Sequence, residues 1–492
     1  MRAFRAQLSL LNKAHAKDIH RILSLPIGTG TFIEVIVVYY LVLALVLVIA
    51  GPFLLLQKKA RAGLSQKFGN IPSTIALDAD KLKFGIWIHA VSVGEFNAVK
   101  PLIERIHEEI PELPIVVSTT TLTGQTLAQE RVGRFARVFY FPFDLPFATG
   151  RWLDALKPQM VVIAETELWP GFLTQCRQRG IKTLLANGRM SPKSFKSYNR
   201  FRFFFGTALR KYTQIAAQSE SEAKRYRAVA GPNIPVVVTG NMKLDGLRTE
   251  GDTIVGHLRE RVNVSEKDFV IVAGSTHDGE ETALLAAYRQ LLENYASGRN
   301  EQSSSLETRE TESRTALPRP RLIIAPRHPE RFEKVVELVA ANGFQPKRFS
   351  KDEKFVDDKD VYVLDGLGQL ARYYSLATVG FVGGTIKNVG GHNLLEPYAY
   401  SVPTICGPHV HKTRDIANAL MDLECLVMVH TPQELTAKLC EFHRDQEPAR
   451  ILGKKGLDWI NQNQGAVDRT MKLIVETLGT QQSRSEFVAK HG

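Results

Sequence analysis

From residue 86 onward the chain runs the same pattern twice: short apolar runs separated by stretches with helical character. The first series is Ile86–Ser92, Ile115–Thr119, Arg137–Phe141, Met160–Ala164, Thr183–Ala186, Gln214–Ala217 and Val236–Val238. These are mostly continuous Val/Ile/Leu/Phe segments, without the polar alternation of a half-exposed strand. Such runs belong to strands buried on both faces of a parallel sheet. Helical patterns such as Asn97–Glu109 lie between them. The polar, charged stretch Leu247–Glu266 interrupts the series. A second follows: Phe269–Ala273, Arg321–Ala325, Val361–Leu364, Val379–Val382, Thr404–Ile405 and Leu426–Val429. Strands alternating with helices in this way give doubly wound α/β layers.

A chain of 492 residues exceeds what one hydrophobic core organises, so two domains are expected. The pattern places a first Rossmann-like domain at residues 65–247 and a second at 266–465, with a C-terminal helix and tail at 466–492. Two similar sheets in series, facing one another across a cleft, fit the architecture called GT-B. Ser297–Pro320 breaks the regularity. It is rich in Ser, Glu and Arg and nearly free of large apolar groups, so it buries too little surface to offset its ordering entropy. It reads as a disordered insertion before the strand Arg321–Ala325.

The formal net charge is +12, and residues 1–68 carry nine Lys/Arg against two acids. More than half of the positive excess therefore lies in the first seventh of the chain, which favours a membrane surface over nucleic acid as its reason. No aromatic–basic pattern or zinc-finger spacing points to nucleic acid. After a basic extension at 1–34 comes Val35–Leu56, whose only ionisable groups are two tyrosines. As a helix these residues span about 33 Å, enough for a hydrocarbon core. The run is too long and starts too far from Met1 for a cleaved signal peptide. Lys58, Lys59, Arg61 and Lys67 follow it closely. The positive-inside rule then predicts a single-pass anchor with the remainder on the cytoplasmic side. The four cysteines are scattered, without a CxxC pair, which fits a reducing compartment and argues against a zinc site or disulfide framework.

Phe381–Pro397, FVGGTIKNVGGHNLLEP, is the segment richest in chemistry. Glycine pairs at Gly383-Gly384 and Gly390-Gly391 follow an apolar strand, and His392, Asn393 and Glu396 open what reads as a helix. Glycines permit close backbone approach, and a helix N-terminus attracts anions. Glu396, one turn in, is placed to reach ribose hydroxyls. Two readings are open: a nucleotide cradle at a sheet edge, or two tight turns and a capped helix.

Other strand ends carry similar groups. Glu95 closes His89–Glu95, HAVSVGE, where a carboxylate can act as a general base or simply complement a helix dipole. Glu165-Thr166-Glu167 ends another strand; spacing i, i+2 puts both acids on one side if the strand continues. Arg189 in NGRMS and Lys243 in GNMKLD supply positive charge for a phosphate leaving group or a substrate carboxylate. GSTH at 274–277, PRHPER at 326–331 and the Gly-rich stretch at 365–369 end strands of the second series. Arg327 directly after a buried strand calls for an anion. The histidines are dispersed along the chain, and most read as loop or core residues. No metal-ligand spacing, no G-x-S-x-G elbow and no G-x-G-x-x-G fingerprint is present.

Taken together, HAVSVGE (89–95), ETELWP (165–170), NGRMS (187–191), GNMKLD (240–245), GSTH (274–277), PRHPER (326–331) and FVGG…GGHNLLEP (381–397) occur in the order found in Kdo (3-deoxy-D-manno-octulosonic acid) transferases. The resemblance covers roughly residues 35–430. It implies an inverting, metal-independent GT-B glycosyltransferase with no cofactor. Such an enzyme moves Kdo from CMP-Kdo to a lipid A precursor on the cytoplasmic face of a bacterial inner membrane. Carried over by motif, Glu95 is the general base, and Glu165 and Lys243 stabilise the transition state. Pro326, Arg327, Leu367, Gly368, Gln369, Asn393, Leu394, Leu395 and Glu396 bind CMP. Gln369 stands where the family's segment usually carries an acid. A nucleotide-sugar epimerase of similar fold and a non-catalytic nucleotide-binding module are the alternatives. The membrane segment disfavours the first, and the intact Glu95, Glu165 and Lys243 disfavour the second.

Overall fold

The strands fall into two sheets, each entirely parallel and seven-stranded. The computed structural model describes residues 32–56, 61–247, 251–304 and 317–479. Residues 1–31 of the basic extension, 305–316 of the insertion and 480–492 of the tail lie outside the described residues. The chain divides into one unit of Met1–Val99, Ile103–Val238 and Lys472–Gly492, and a second of Lys100–Leu102 and Thr239–Met471.

In the first unit the strands are β1 (Ile86–His89), β2 (Ile115–Thr119), β3 (Arg137–Tyr140), β4 (Met160–Ala164), β5 (Lys182–Gly188), β6 (Gln214–Ala217) and β7 (Val236–Val238). Their spatial order is β3-β2-β1-β4-β5-β6-β7. Strand order reverses between β1 and β4, where Ile86 pairs with Met160 and His89 with Ile163. Ligands of open α/β sheets bind outside the carboxyl ends of strands at such a switch point. Both strands are fully buried, because helices cover both faces. Trp87, Phe139, Trp152 and Phe172 fill the core of one face.

The second unit contains β8 (Phe269–Thr276), β9 (Pro320–Pro326), β10 (Gln345–Arg348), β11 (Asp360–Val363), β12 (Val379–Val382), β13 (Thr404–Cys406) and β14 (Val427–Met428). Their order is β10-β11-β9-β8-β12-β13-β14. The switch point lies between β8 and β12, where Val382 pairs with Gly274. Its core is built from β8, β9, β11 and β12 residues, including Phe269, Ile271, Leu322, Val361 and Phe381.

Three local expectations are corrected. The strand β10, QPKR, carries no apolar run, because it is an edge strand and only part-buried. Helix Glu280–Ser304 continues through residues 297–304 of the predicted insertion, so that part is ordered as helix. No helix opens at Asn393; the one helical element nearby is a 3₁₀ turn at Tyr398–Tyr400.

The apolar N-terminal run forms a helix, Phe32–Leu56, of 25 residues. Among the described residues no helix is long and apolar enough to cross a membrane; side chains described within this helix cover only residues 36–49 and 51. One side of it meets the first unit: the Tyr39 hydroxyl donates to Asp144 at 2.8 Å, and its ring lies 5.9 Å from that of Phe204. Val38, Leu41, Val42, Leu45, Val48 and Ile49 remain exposed.

Candidate functional site

At the switch point of the first unit, Ser92 adopts extended backbone and the helix Val93–Glu109 begins. Glu95, in its first turn, turns its side chain back so that the Val91 N–H donates to Oε2 at 2.5 Å. The capping role is therefore real, and it also fixes where the carboxylate points. A capped carboxylate held at the carboxyl end of β1 remains suited to accept a proton from a hydroxyl.

Beside it, β4 ends at Ala164 and Glu165 takes up a left-handed conformation, φ 58°. Its N–H donates to the Ala186 carbonyl at 2.8 Å, which prolongs the β4–β5 ladder by one bond. Because the strand stops there, the expected one-sided pair of acids does not form. Glu165 is half-buried, whereas Glu167 is buried. The Tyr212 hydroxyl donates to the Glu167 carbonyl at 2.9 Å. Asn187, at the end of β5, has φ 54°, and Ser275, at the end of β8, also has φ 54°. A left-handed non-glycine residue costs on the order of 1–3 kcal/mol and gathers at functional sites. Of the nine such residues among the described ones, these three lie in the motifs singled out from the sequence.

Just beyond, the helix Pro170–Gln178 begins with its N–H groups taken. Asp144 accepts from Gly171 at 2.9 Å and Phe172 at 2.5 Å. Burial pushes the Asp144 carboxyl up to about 6, against the pull of those bonds. His89 is a core residue, as its position suggested. Its Nδ1 lies 3.1 Å from the Ser118 carbonyl, its ring stacks on Phe141, and burial pushes it down to about 3.

In the second unit, most of GNMKLD is structural. Asn241 caps the short helix Met242–Asp245 by accepting from the Lys243 N–H at 3.1 Å. Asp245 accepts from Gly465 at 2.8 Å and Val467 at 2.5 Å, tying this turn to the start of helix Ala466–Leu478. Lys243 is half-buried on that turn.

The residues predicted to hold a nucleotide line the carboxyl edge of the second sheet. Pro326 ends β9 and is buried; Arg327 is exposed, its N–H bonded to the Thr276 carbonyl at 3.1 Å. Leu367 is exposed, Gly368 has φ 74°, and the Gln369 side-chain oxygen is buried without a partner among the described residues. Asp365, just before them, is occupied. Burial would raise it, but bonds from Ser350 and Arg348 outweigh that and hold it below the usual carboxylate range. Leu394 and Leu395 are buried core residues, while Asn393 is exposed. Asn393 organises the turn, accepting from the Leu395 N–H and donating to Glu396 at 3.1 Å. Burial raises the Glu396 carboxyl, countered by that bond and by the charge of Arg327.

The glycine loop after β12 is an anion nest, but its anion is internal. Glu280, which sequence reasoning missed, accepts from the N–H groups of His277 (2.9 Å), Gly384 (2.8 Å), Thr385 (3.0 Å), Ile386 (3.0 Å) and Lys387 (3.4 Å). The reading of Gly383-Gly384 as a cradle for a ligand phosphate is corrected accordingly. Gly383 is needed for closeness: a Cβ there would stand 2.4 Å from the Ser275 oxygen. Nor are the histidines here dispersed. His277 and His392 meet at 2.9 Å through their Nε2 atoms, and His328 lies edge-on to His277. Their positions after β8, after β9 and beyond β12 were the available signal. Among the described residues no group of three or more His, Cys, Asp or Glu is placed to hold a metal ion.

The family model described as "3-Deoxy-D-manno-octulosonic-acid transferase (kdotransferase)" matches residues 62–246. The chain is 31% identical over 392 residues to a 3-deoxy-D-manno-octulosonic acid transferase of Haemophilus influenzae, covering 79% of this chain and 86% of that protein. It is 29% identical to the protein of the same name from Bordetella pertussis, covering 80% and 87% of the two chains. Among solved structures, the S. aureus MnaA–UDP co-structure aligns with 80% of this chain and 97% of its own, at TM-score 0.50 and 13% identity. At that identity the likeness concerns the fold alone.

Proposed function

Because the chain belongs to the 3-deoxy-D-manno-octulosonic acid transferase family, we propose that it transfers Kdo from CMP-Kdo to lipid IVA, with Glu95 as the base. The protein is a glycosyltransferase of lipopolysaccharide biosynthesis. The donor and acceptor details, and the role of each residue, are our reading. The observation that carries it is the placement of the family motifs at both switch points. Glu95 and Glu165 follow β1 and β4 of the first sheet, while GSTH closes β8 and the glycine loop follows β12 of the second.

In this reading Glu95 removes the proton from an acceptor hydroxyl as its oxygen attacks the anomeric carbon of Kdo. The bond to the CMP phosphate breaks, and its electron pair leaves with the phosphate oxygen. The anionic leaving group calls for positive charge, supplied by Arg327 on the nucleotide side and Lys243 at the transition state. Glu165, whose backbone is left-handed, is assigned the stabilisation of the oxocarbenium-like carbon. Pro326, the 367–369 turn and Asn393–Glu396 hold CMP, with Leu394 and Leu395 as the buried footing of that segment. No metal or cofactor takes part.

Helix Phe32–Leu56 is proposed as the membrane attachment. Its exposed Val38, Leu41, Val42, Leu45, Val48 and Ile49 share one face, which is costly in water. The basic cluster after it favours a single-pass inner-membrane anchor with both units on the cytoplasmic side. The Tyr39–Asp144 bond favours a second arrangement, in which the helix lies in the interface plane against the first unit.

CMP release in the presence and absence of lipid IVA tests donor and acceptor together. Release that depends on the lipid supports the reading; release indifferent to it removes lipid IVA from the acceptor role.

A further inference from the structure

The hydrogen bond between His277 and His392 runs nitrogen to nitrogen, Nε2 to Nε2 at 2.9 Å, between rings parallel to within 2°. Such a bond requires one ring nitrogen to carry a hydrogen and the other to be bare. Two imidazolium rings cannot make it. The pair is therefore either neutral or singly charged.

Its surroundings decide which. Arg327, Lys412 and His328 act on His392, and His328 and Arg331 act on His277. The acids near His277 are committed elsewhere. Glu280 is filled by backbone N–H groups, and Glu281 is held by Arg331 at 2.7 and 3.1 Å. Asp278 faces Arg331 and Lys387. Burial first, then Arg327, push His392 down to about 4, and burial lowers His277. Both shifts therefore favour the neutral pair when no anion is present.

The pair lies beside the segments assigned above to the donor. A Cβ on Gly384 would be 3.0 Å from His392 Cδ2 and 3.3 Å from His277 Cδ2, so the rings cover the loop after β12. His392 directly precedes Asn393, and Arg327 is bonded to the residue before His277. An anion seated by Arg327 would offset the part that Arg327 adds to burial in holding His392 neutral, and would itself favour a proton on the pair. One added proton would then turn a neutral contact into a charge-assisted one.

We propose that His277 and His392 form a proton-linked anion site that takes up one proton when the donor's phosphate binds. This rests on the assignment of the second unit as the CMP-binding one.

The test is calorimetry of CMP binding to the whole protein at about pH 7.5, in buffers of low and high ionisation enthalpy. Free CMP, whose second phosphate pKa is about 6, is already mostly a dianion there. It has no proton uptake of its own to contribute. The expected result is a buffer-dependent heat corresponding to uptake approaching one proton. The dependence should persist in His328→Gln, vanish in His277→Gln and in His392→Gln, and be absent when cytidine replaces CMP. In the unaltered protein CMP affinity should fall several-fold between about pH 6.5 and 8.5, because the ligand binds the protonated pair better. CMP binding with no buffer dependence and a flat pH profile would overturn the pair and leave the donor site standing. Uptake that survives in both Gln variants would also overturn it. Absence of CMP binding in the unaltered protein would overturn both assignments.

Discussion

The carboxylate of Glu280 lies 2.8 Å from the backbone nitrogen of Gly384, a residue 104 positions away in the chain. Through Thr385 and Ile386 at 3.0 Å the same side chain fixes the whole loop after β12. Charge-assisted bonds of this kind contribute about 1.5–3 kcal/mol each, and leaving their donors unpaired costs more. Glu280→Ala should therefore destabilise the protein by about 3–5 kcal/mol. The near-isosteric Glu280→Gln should fold, with the Michaelis constant for CMP-Kdo raised more than kcat is lowered, because it loosens the loop beside the proposed donor segments and leaves the proposed base, Glu95, in place. Steady-state kinetics in both substrates checks this; an unchanged donor constant would remove the positioning role.

Glu95→Ala removes the proposed base and keeps the donor unit untouched. Transfer should drop by about 10²–10⁴-fold while CMP binding, measured by calorimetry, stays within a few-fold of normal. Near-normal turnover would take the base role away from Glu95.

His89 supplies a pH effect on stability. Its folded pKa, about 3, lies below the unfolded value of 6.5. The unfolded chain therefore binds the extra proton first, and stability falls as pH drops below 6.5. The loss from this one group is about 2 kcal/mol by pH 5. Because Asp144 works against it in the same window, the effect is read as a difference: in urea melts between pH 7 and 5, His89→Gln should lose less stability than the unaltered protein, even if the variant starts less stable. Parallel slopes would assign the acid sensitivity to other groups. Asp144 acts in the opposite sense: its raised pKa strengthens the fold as pH falls through 6.

Deleting residues 1–57 should release the protein from membranes and retain the fold of both units, read by fractionation and far-UV circular dichroism. Removal of the helix uncovers Asp144, which loses its bond from Tyr39, so a small loss in melting temperature is expected. An unfolded, aggregated product would mean that the helix is part of the first unit's core.

What was legible in the sequence followed from burial. Strands such as β4 and β12 are covered on both faces, and their apolar runs announced them. The edge strand β10 faces partly outward, so its Gln, Pro, Lys and Arg carried no signal. The motifs do stand at the carboxyl ends of strands, those after β1, β4, β8 and β12 at the two switch points, although several of their residues, such as Asn241, Asp245 and Gly383, serve the fold itself. The nest after β12 was recognisable from its glycines; its occupant was not, because Glu280 reaches it only through tertiary packing. The histidine pair escaped for the same reason, being 115 residues apart.

The most direct measurement is mass analysis of lipid IVA after incubation with CMP-Kdo and the purified protein in the presence of EDTA. The predicted result is lipid carrying one or more Kdo residues, with the yield collapsing in Glu95→Ala. Unmodified lipid in the unaltered protein, or a product formed equally well by Glu95→Ala, would contradict it.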